Sequence, residues 1–124
     1  MKKVIHTDNA PKAVGPYSQA IEANRTLYIS GQLPVDPVTG KTPETIEEQT
    51  EQALKNVGAI LEAAGYGYRD VVKSTVLLSS MDDFAAMNGV YAKFYTEEMP
   101  ARVAYQVVKL PFGVKVEIET IAVK

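Results

Sequence analysis

Apolar and polar positions change period along the chain, and each change marks an element. KKVI at residues 2–5 reads as a short strand, after which Pro11, Gly15 and Pro16 exclude regular helix. Residues 18–22 and 26–30 predict a hairpin turned at Ala23, Asn24 and Arg25, where asparagine tolerates a left-handed backbone. PVDPVTGKTP is a loop of turn formers. From Thr45 the period lengthens: Ile46, Ala53, Leu54, Val57, Ile60, Leu61 and Ala64 fall on one helical face, with Glu47, Glu48, Glu51 and Lys55 outside it. Thr45 and Glu48 have the spacing of a capping box, and Gly65 supplies the stop.

DVVKSTVLLSS, residues 70–80, is rich in β-branched residues and reads as a central strand. MDDFAAMNGVYAKFY then predicts a second helix, capped by Ser80 or Asp82, that buries Phe84, Met87, Tyr91, Phe94 and Tyr95. Pro100 ends that unit, and strands over 102–109 and 114–123 follow, joined by a turn at Pro111, Phe112 and Gly113. This order predicts an α+β fold, a mixed sheet with both helices packed on one face. The strands over 71–78 and 114–123 carry Val, Ile or Leu at both parities, which a sheet half open to water does not explain. A homo-oligomer that buries the second face resolves the conflict.

A length of 124 residues bounds this to one domain over 1–124, and 46% hydrophobic with 23% charged residues is a globular composition. The formal charge of −2, with both signs interleaved, offers no basic stripe, so nucleic acid is not the expected partner. The absence of cysteine excludes disulfides and thiolate chemistry, and His6 alone cannot build a zinc site, so no metal is expected. The amino-terminal stretch lacks the apolar run of about 7 to 15 residues of a signal peptide. No window approaches the roughly 20 apolar residues of a membrane span. A cytoplasmic location without membrane partners is the expectation.

Within PARVAYQVVKLP, Arg102 is a permanent cation heading an apolar strand. It reads either as an edge arginine paired with a glutamate or as an anchor for a substrate carboxylate, which its planar fork matches bidentately. Glu117 and Glu119 share one parity with Ile121 and Val123, so the row enters a buried or interfacial zone where a carboxylate needs a partner. Tyr17 sits in the stiff GPYSQ loop, Ser30 and Gly31 end a strand in ISGQ, and Asn88 lies one turn from Phe84 and Tyr91. Each of these also has an ordinary reading, as packing aromatic, turn chemistry or satisfied amide.

Taken together, GPYSQA, ISGQ, MNGVYAKFY, PAR and VEIE, in that order and spacing, resemble the reactive intermediate deaminase family, RidA or YjgF, over essentially the whole chain. The resemblance implies a chorismate mutase-like fold and a homotrimer whose sheets form a central barrel with a cleft at each subunit interface. It implies hydrolysis of enamines and imines such as 2-aminoacrylate to 2-keto acids and ammonia, without metal or cofactor. By position, Arg102 would hold the substrate carboxylate and Glu117 would direct water. Tyr17, Ser30, Gly31 and Asn88 would line the pocket, with Gln32 as an extra contact. Val103 and Ala104 stand where many close members carry Ser and Cys, which removes any thiol and leaves the Ala104 backbone for substrate contact. Two other functions are weighed against deamination: a non-catalytic module binding a 2-keto acid in the same cleft, and a ribonuclease, which the charge and the single histidine disfavour.

Overall fold

The computed structural model describes residues 1–124. Its strands are β1 (Lys3–Ile5), β2 (Ala20–Ala23), β3 (Thr26–Gln32), β4 (Val71–Leu78), β5 (Ala101–Gln106) and β6 (Val116–Val123), and they form one sheet ordered β1-β2-β3-β6-β4-β5. The helices are α1 (Ile46–Ala63) and α2 (Phe84–Phe94). β4 and β5 pair in parallel, as a crossover through α2 requires, and every other neighbouring pair is antiparallel. The last strand in the chain, β6, enters between β3 and β4. The α+β class and the mixed six-stranded sheet follow the periodicity.

Boundaries differ where loops take over backbone groups. The strand expected over 18–22 begins at Ala20, because the Ser18 and Gln19 carbonyls accept from the Ser30 hydroxyl (2.6 Å) and the Ser30 N–H (2.9 Å). β6 begins at Val116 because a 3₁₀ turn over Pro111–Gly113 precedes it, with Phe112 and Gly113 at φ +58° and +68°. The second helix is preceded by its own 3₁₀ turn, Met81–Asp83, whose Asp82 N–H the Ser80 hydroxyl caps at 3.1 Å.

α1 forms where the period predicts. Thr45 Oγ1 accepts from the Glu48 N–H at 3.1 Å, while the Glu48 carboxylate accepts from the Thr45 hydroxyl at 3.0 Å and not from its backbone. Gly65, at φ +81°, ends the helix in a Schellman motif: the Tyr66 N–H donates to Leu61 O at 2.8 Å and the Gly65 N–H to Glu62 O at 3.0 Å. Ala53, Leu54, Val57, Ile60 and Leu61 are buried against the sheet. Periodicity alone does not show that Gln49 and Asn56 are buried as well. Asn56 Nδ2 donates to Leu33 O and Val35 O, both at 2.9 Å, and Gln49 bridges Pro43 O and the Lys115 N–H, both at 2.8 Å. These amides hold the loop after β3 against the helix.

Both helices cover the face that carries Ser74, Val76, Leu78, Ile118 and Thr120, all buried. The opposite face has no cover within the chain. Val4, Ile21, Tyr28, Ile121 and Lys73 form one cross-strand row on it, and Tyr28, Val103, Tyr105 and Val123 remain 42–50% exposed. An apolar face of this kind favours association, at about 25 cal/mol per Å² covered. No helix is long and apolar enough to cross a membrane.

Candidate active site

Arg102 lies on edge strand β5 in register with Ser74, so its side chain rises on the helix-covered face. Nη1 donates to Asn88 Oδ1 at 2.7 Å, and the guanidinium carbon sits 4.9 Å from the Tyr91 ring centre and 5.6 Å from that of Phe84. Phe84, Asn88 and Tyr91 follow helical spacing on α2, which presents two aromatic faces and one amide oxygen to a single cation. None of the chain's ion pairs, His6–Asp8 and Lys55–Glu51, involves Arg102. Its charge is oriented by neutral groups, and no carboxylate of the chain pairs with it. The edge-arginine reading, with a glutamate partner, is not what the fold builds.

Glu117 lies opposite Leu77 on β4 and projects from the uncovered face. Burial pushes its carboxyl above the ordinary value of 4.5, and the Glu119 carboxylate on the same face adds to the rise. Its head packs over Gly31, at the β3–β6 register shift between Ile29 and Gln32. A Cβ at Gly31 would overlap a Glu117 carboxylate oxygen and lie 2.9 Å from Cδ and 3.2 Å from Cγ. Only glycine admits the carboxyl there without displacement. The irregularity is fixed by Ser30, whose hydroxyl is spent on Ser18 O, and by Gln32 Nε2, which donates to Ser30 O at 3.0 Å.

Beside Gly31 opens a cavity of about 480 Å³, lined among others by Lys12, Val14, Tyr17, Gln32, Asp36 and Phe112. Tyr17 is half exposed, and its hydroxyl accepts from the Val14 N–H at 3.3 Å, which closes the GPYSQ loop on itself. Gln19 fastens that loop to the sheet. Its Oε1 accepts from the Thr7 N–H at 2.8 Å, and its Nε2 donates to the carbonyls of Thr7 (3.0 Å) and Pro11 (2.9 Å). Gln19 lies within the GPYSQA motif, but only its full burial distinguishes it from a surface amide.

The predicted residues therefore fall into two groups. Tyr17, Ser30, Gly31, Gln32 and Glu117 gather on and beside the β3–β6 ladder, whereas Arg102 and Asn88 stand together at the β5 edge, with Ala104 two residues along in register with Val76. Between the groups runs β4: Arg102 pairs with Ser74, Glu117 with Leu77, and their side chains leave opposite faces of the sheet. Three residues of strand are about 10 Å. One chain does not bring the guanidinium and the carboxylate to the same point. Sequence parity within each strand was legible, but which face β5 shares with β6 depends on their separate registers with β4.

A profile of the family described as Endoribonuclease L-PSP matches residues 7–124. A RutC family protein of Pyrococcus horikoshii is 57% identical over all of this chain and 99% of its own length. The mouse 2-iminobutanoate/2-iminopropanoate deaminase is 52% identical over all of this chain and 93% of its own length. The crystal structure of Escherichia coli TdcF with bound serine superposes with a TM-score of 0.94 at 43% identity, covering 98% of both chains. With the motifs, the six-stranded sheet and these likenesses in agreement over its full length, the chain belongs to the RidA/YjgF family.

Proposed function

We propose that this protein hydrolyses 2-imino acids and their enamine tautomers to 2-keto acids and ammonia, at a site completed by two copies of the chain. The observation that carries this reading is the split itself: a cation held only by neutral groups on one face, and a carboxyl with a raised pKa on the other. Association through the uncovered apolar face would bring the β5 edge of one copy to the β3–β6 surface of the next. A closed homotrimer would give every Arg102 a Glu117 partner. The naming of close relatives as deaminases supports the reaction, and the serine bound to TdcF supports a small ligand with an α-carboxylate.

Arg102 takes the carboxylate, with Asn88 and the Tyr91 ring holding the fork in place. A protonated imine is electrophilic at C2. Water adds there as Glu117 takes its proton, giving a carbinolamine. Glu117 returns that proton to nitrogen, the C–N bond breaks, and ammonia leaves as the C2 hydroxyl gives its proton to the Glu117 carboxylate and becomes the keto oxygen. Tyr17, Gly31 and the Ala104 backbone at the strand edge line the site, and Ser30 supports it through its bond to Ser18. No step requires a metal or cofactor.

The direct test is ammonia release from 2-aminoacrylate supplied by a serine or threonine dehydratase, which the protein should accelerate; a rate equal to the uncatalysed one excludes this chemistry. Gly31→Ala should lower kcat/KM by about 100-fold through displacement of Glu117, while circular dichroism stays that of the native fold. Native turnover in this variant would mean that the Glu117 position is irrelevant. Because Glu117 must begin ionised, kcat/KM should fall toward acid pH with a midpoint above the ordinary carboxylate value, and Glu119→Gln should move that midpoint down. An acid limb that ignores Glu119 separates the profile from Glu117.

A second reading, a module that binds small carboxylates without turning them over, is favoured by the same bound serine in TdcF. It shares Arg102 and differs at Glu117. The ribonuclease chemistry in the family's description finds little here: the single histidine, His6, is exposed and paired with Asp8 at 3.1 Å, and the net charge is −2.

A further inference from the structure

Four buried hydroxyls behind Arg102 have no protein hydrogen-bond partner: Ser74 Oγ, Thr120 Oγ1, Tyr91 OH and Tyr95 OH. They occupy one layer. Ser74 and Thr120 are cross-strand neighbours on β4 and β6, and Ser74 is also the register partner of Arg102 on β5. Tyr91 and Tyr95, one helical turn apart at the end of α2, pack on each other with ring centres 4.7 Å apart and a 39° tilt. Burial pushes both phenol pKa values up, and the nearby Ser74 hydroxyl offsets part of the rise in each, although it meets neither phenol at hydrogen-bond geometry.

Native interiors rarely leave a hydroxyl unpaired, and four in one place is far outside that pattern. Each can donate one hydrogen bond and accept others, so together they offer the two to four partners that a buried water takes. We propose that Ser74, Tyr91, Tyr95 and Thr120 bind a water molecule between the sheet and α2, and that this water makes Tyr91 a positioning residue for Arg102. The link is short: the water fixes the Tyr91 hydroxyl, the hydroxyl fixes the ring, and the ring lies 4.9 Å from the guanidinium carbon. The catalytic consequence rests on the role proposed for Arg102; the water site does not.

Crystal structures of the native protein, Tyr91→Phe, Ser74→Ala/Thr120→Val and Thr120→Ser, with steady-state kinetics of each, test this. The native protein and Thr120→Ser should show a water peak within hydrogen-bond distance of at least three of the four hydroxyls. Tyr91→Phe and the double variant should raise KM for 2-imino acids by about 3- to 10-fold with kcat within about twofold, and Thr120→Ser should leave both constants native. A purely structural cluster would shift Tm and leave KM alone. Four hydroxyls bonded to one another with no density between them would overturn the water site, and native KM in both hydroxyl-deleting variants would overturn the positioning role. If Arg102→Ala keeps full carboxylate affinity while the water is present, the functional reading fails and the water site stands. If Arg102→Ala fails to bind while Tyr91→Phe binds normally, only the positioning role fails.

Discussion

Arg102→Ala is expected to reduce kcat/KM for 2-imino acids by about 1,000-fold, the scale of a lost bidentate charge pair in a partly desolvated site, and to leave the fold in place. The fold should survive because Arg102 has no carboxylate partner within the chain whose charge would be stranded. What it leaves behind is Asn88 Oδ1 without its 2.7 Å donor, a loss of about 1–3 kcal/mol if water cannot reach it. Arg102→Lys should recover only part of the activity, since an ammonium keeps the charge and loses both the fork and the stacking on Tyr91 and Phe84. Dehydratase-coupled ammonia release and thermal melting measure the two quantities separately. Native catalysis in Arg102→Ala would remove it from the site.

Glu117→Gln should lower kcat by about 100- to 10,000-fold, the range for loss of a positioned acid–base group, with KM little changed. Its effect on stability has the opposite sign. The folded state raises the Glu117 pKa, so it favours the protonated carboxyl; that contribution is present below the unfolded-state value and is lost as pH rises through the raised one. Glutamine cannot ionise. The variant should therefore melt at or above the native temperature near neutral pH, and the gap should close toward acid pH. Turnover separates the enzyme from the pure binder: both readings predict retained or tighter 2-ketobutyrate binding in Glu117→Gln by calorimetry, but only an enzyme shows native turnover that the variant loses.

Much of this site was legible in the sequence for local reasons. The capping residue Thr45, the stop at Gly65 and the stripe from Ala53 to Leu61 are properties of one helix, and periodicity reports them. The parity of Glu117 with Glu119, and the spacing of Phe84, Asn88 and Tyr91, are equally local. The close fit of Gly31 to Glu117 is not, because it depends on the register shift between Ile29 and Gln32, which no single strand encodes. Nor is the separation of Arg102 from Glu117 on opposite faces, a product of two registers meeting on β4. Buried Gln19, Gln49 and Asn56 were invisible to hydrophobic pattern because their work is to satisfy loop carbonyls and amides that form only in the folded chain.

The proposed site shared between copies would explain both the apolar second face and the split of Arg102 from Glu117, and it has a direct test. Arg102→Ala and Glu117→Gln chains, each inactive alone, are unfolded together and refolded at equal concentration. In a ring of randomly mixed copies, about a quarter of the interfaces pair an intact Arg102 with an intact Glu117. The account predicts recovery of about a quarter of native activity. Recovery of none, with mixed oligomers demonstrated by mass spectrometry, would contradict it.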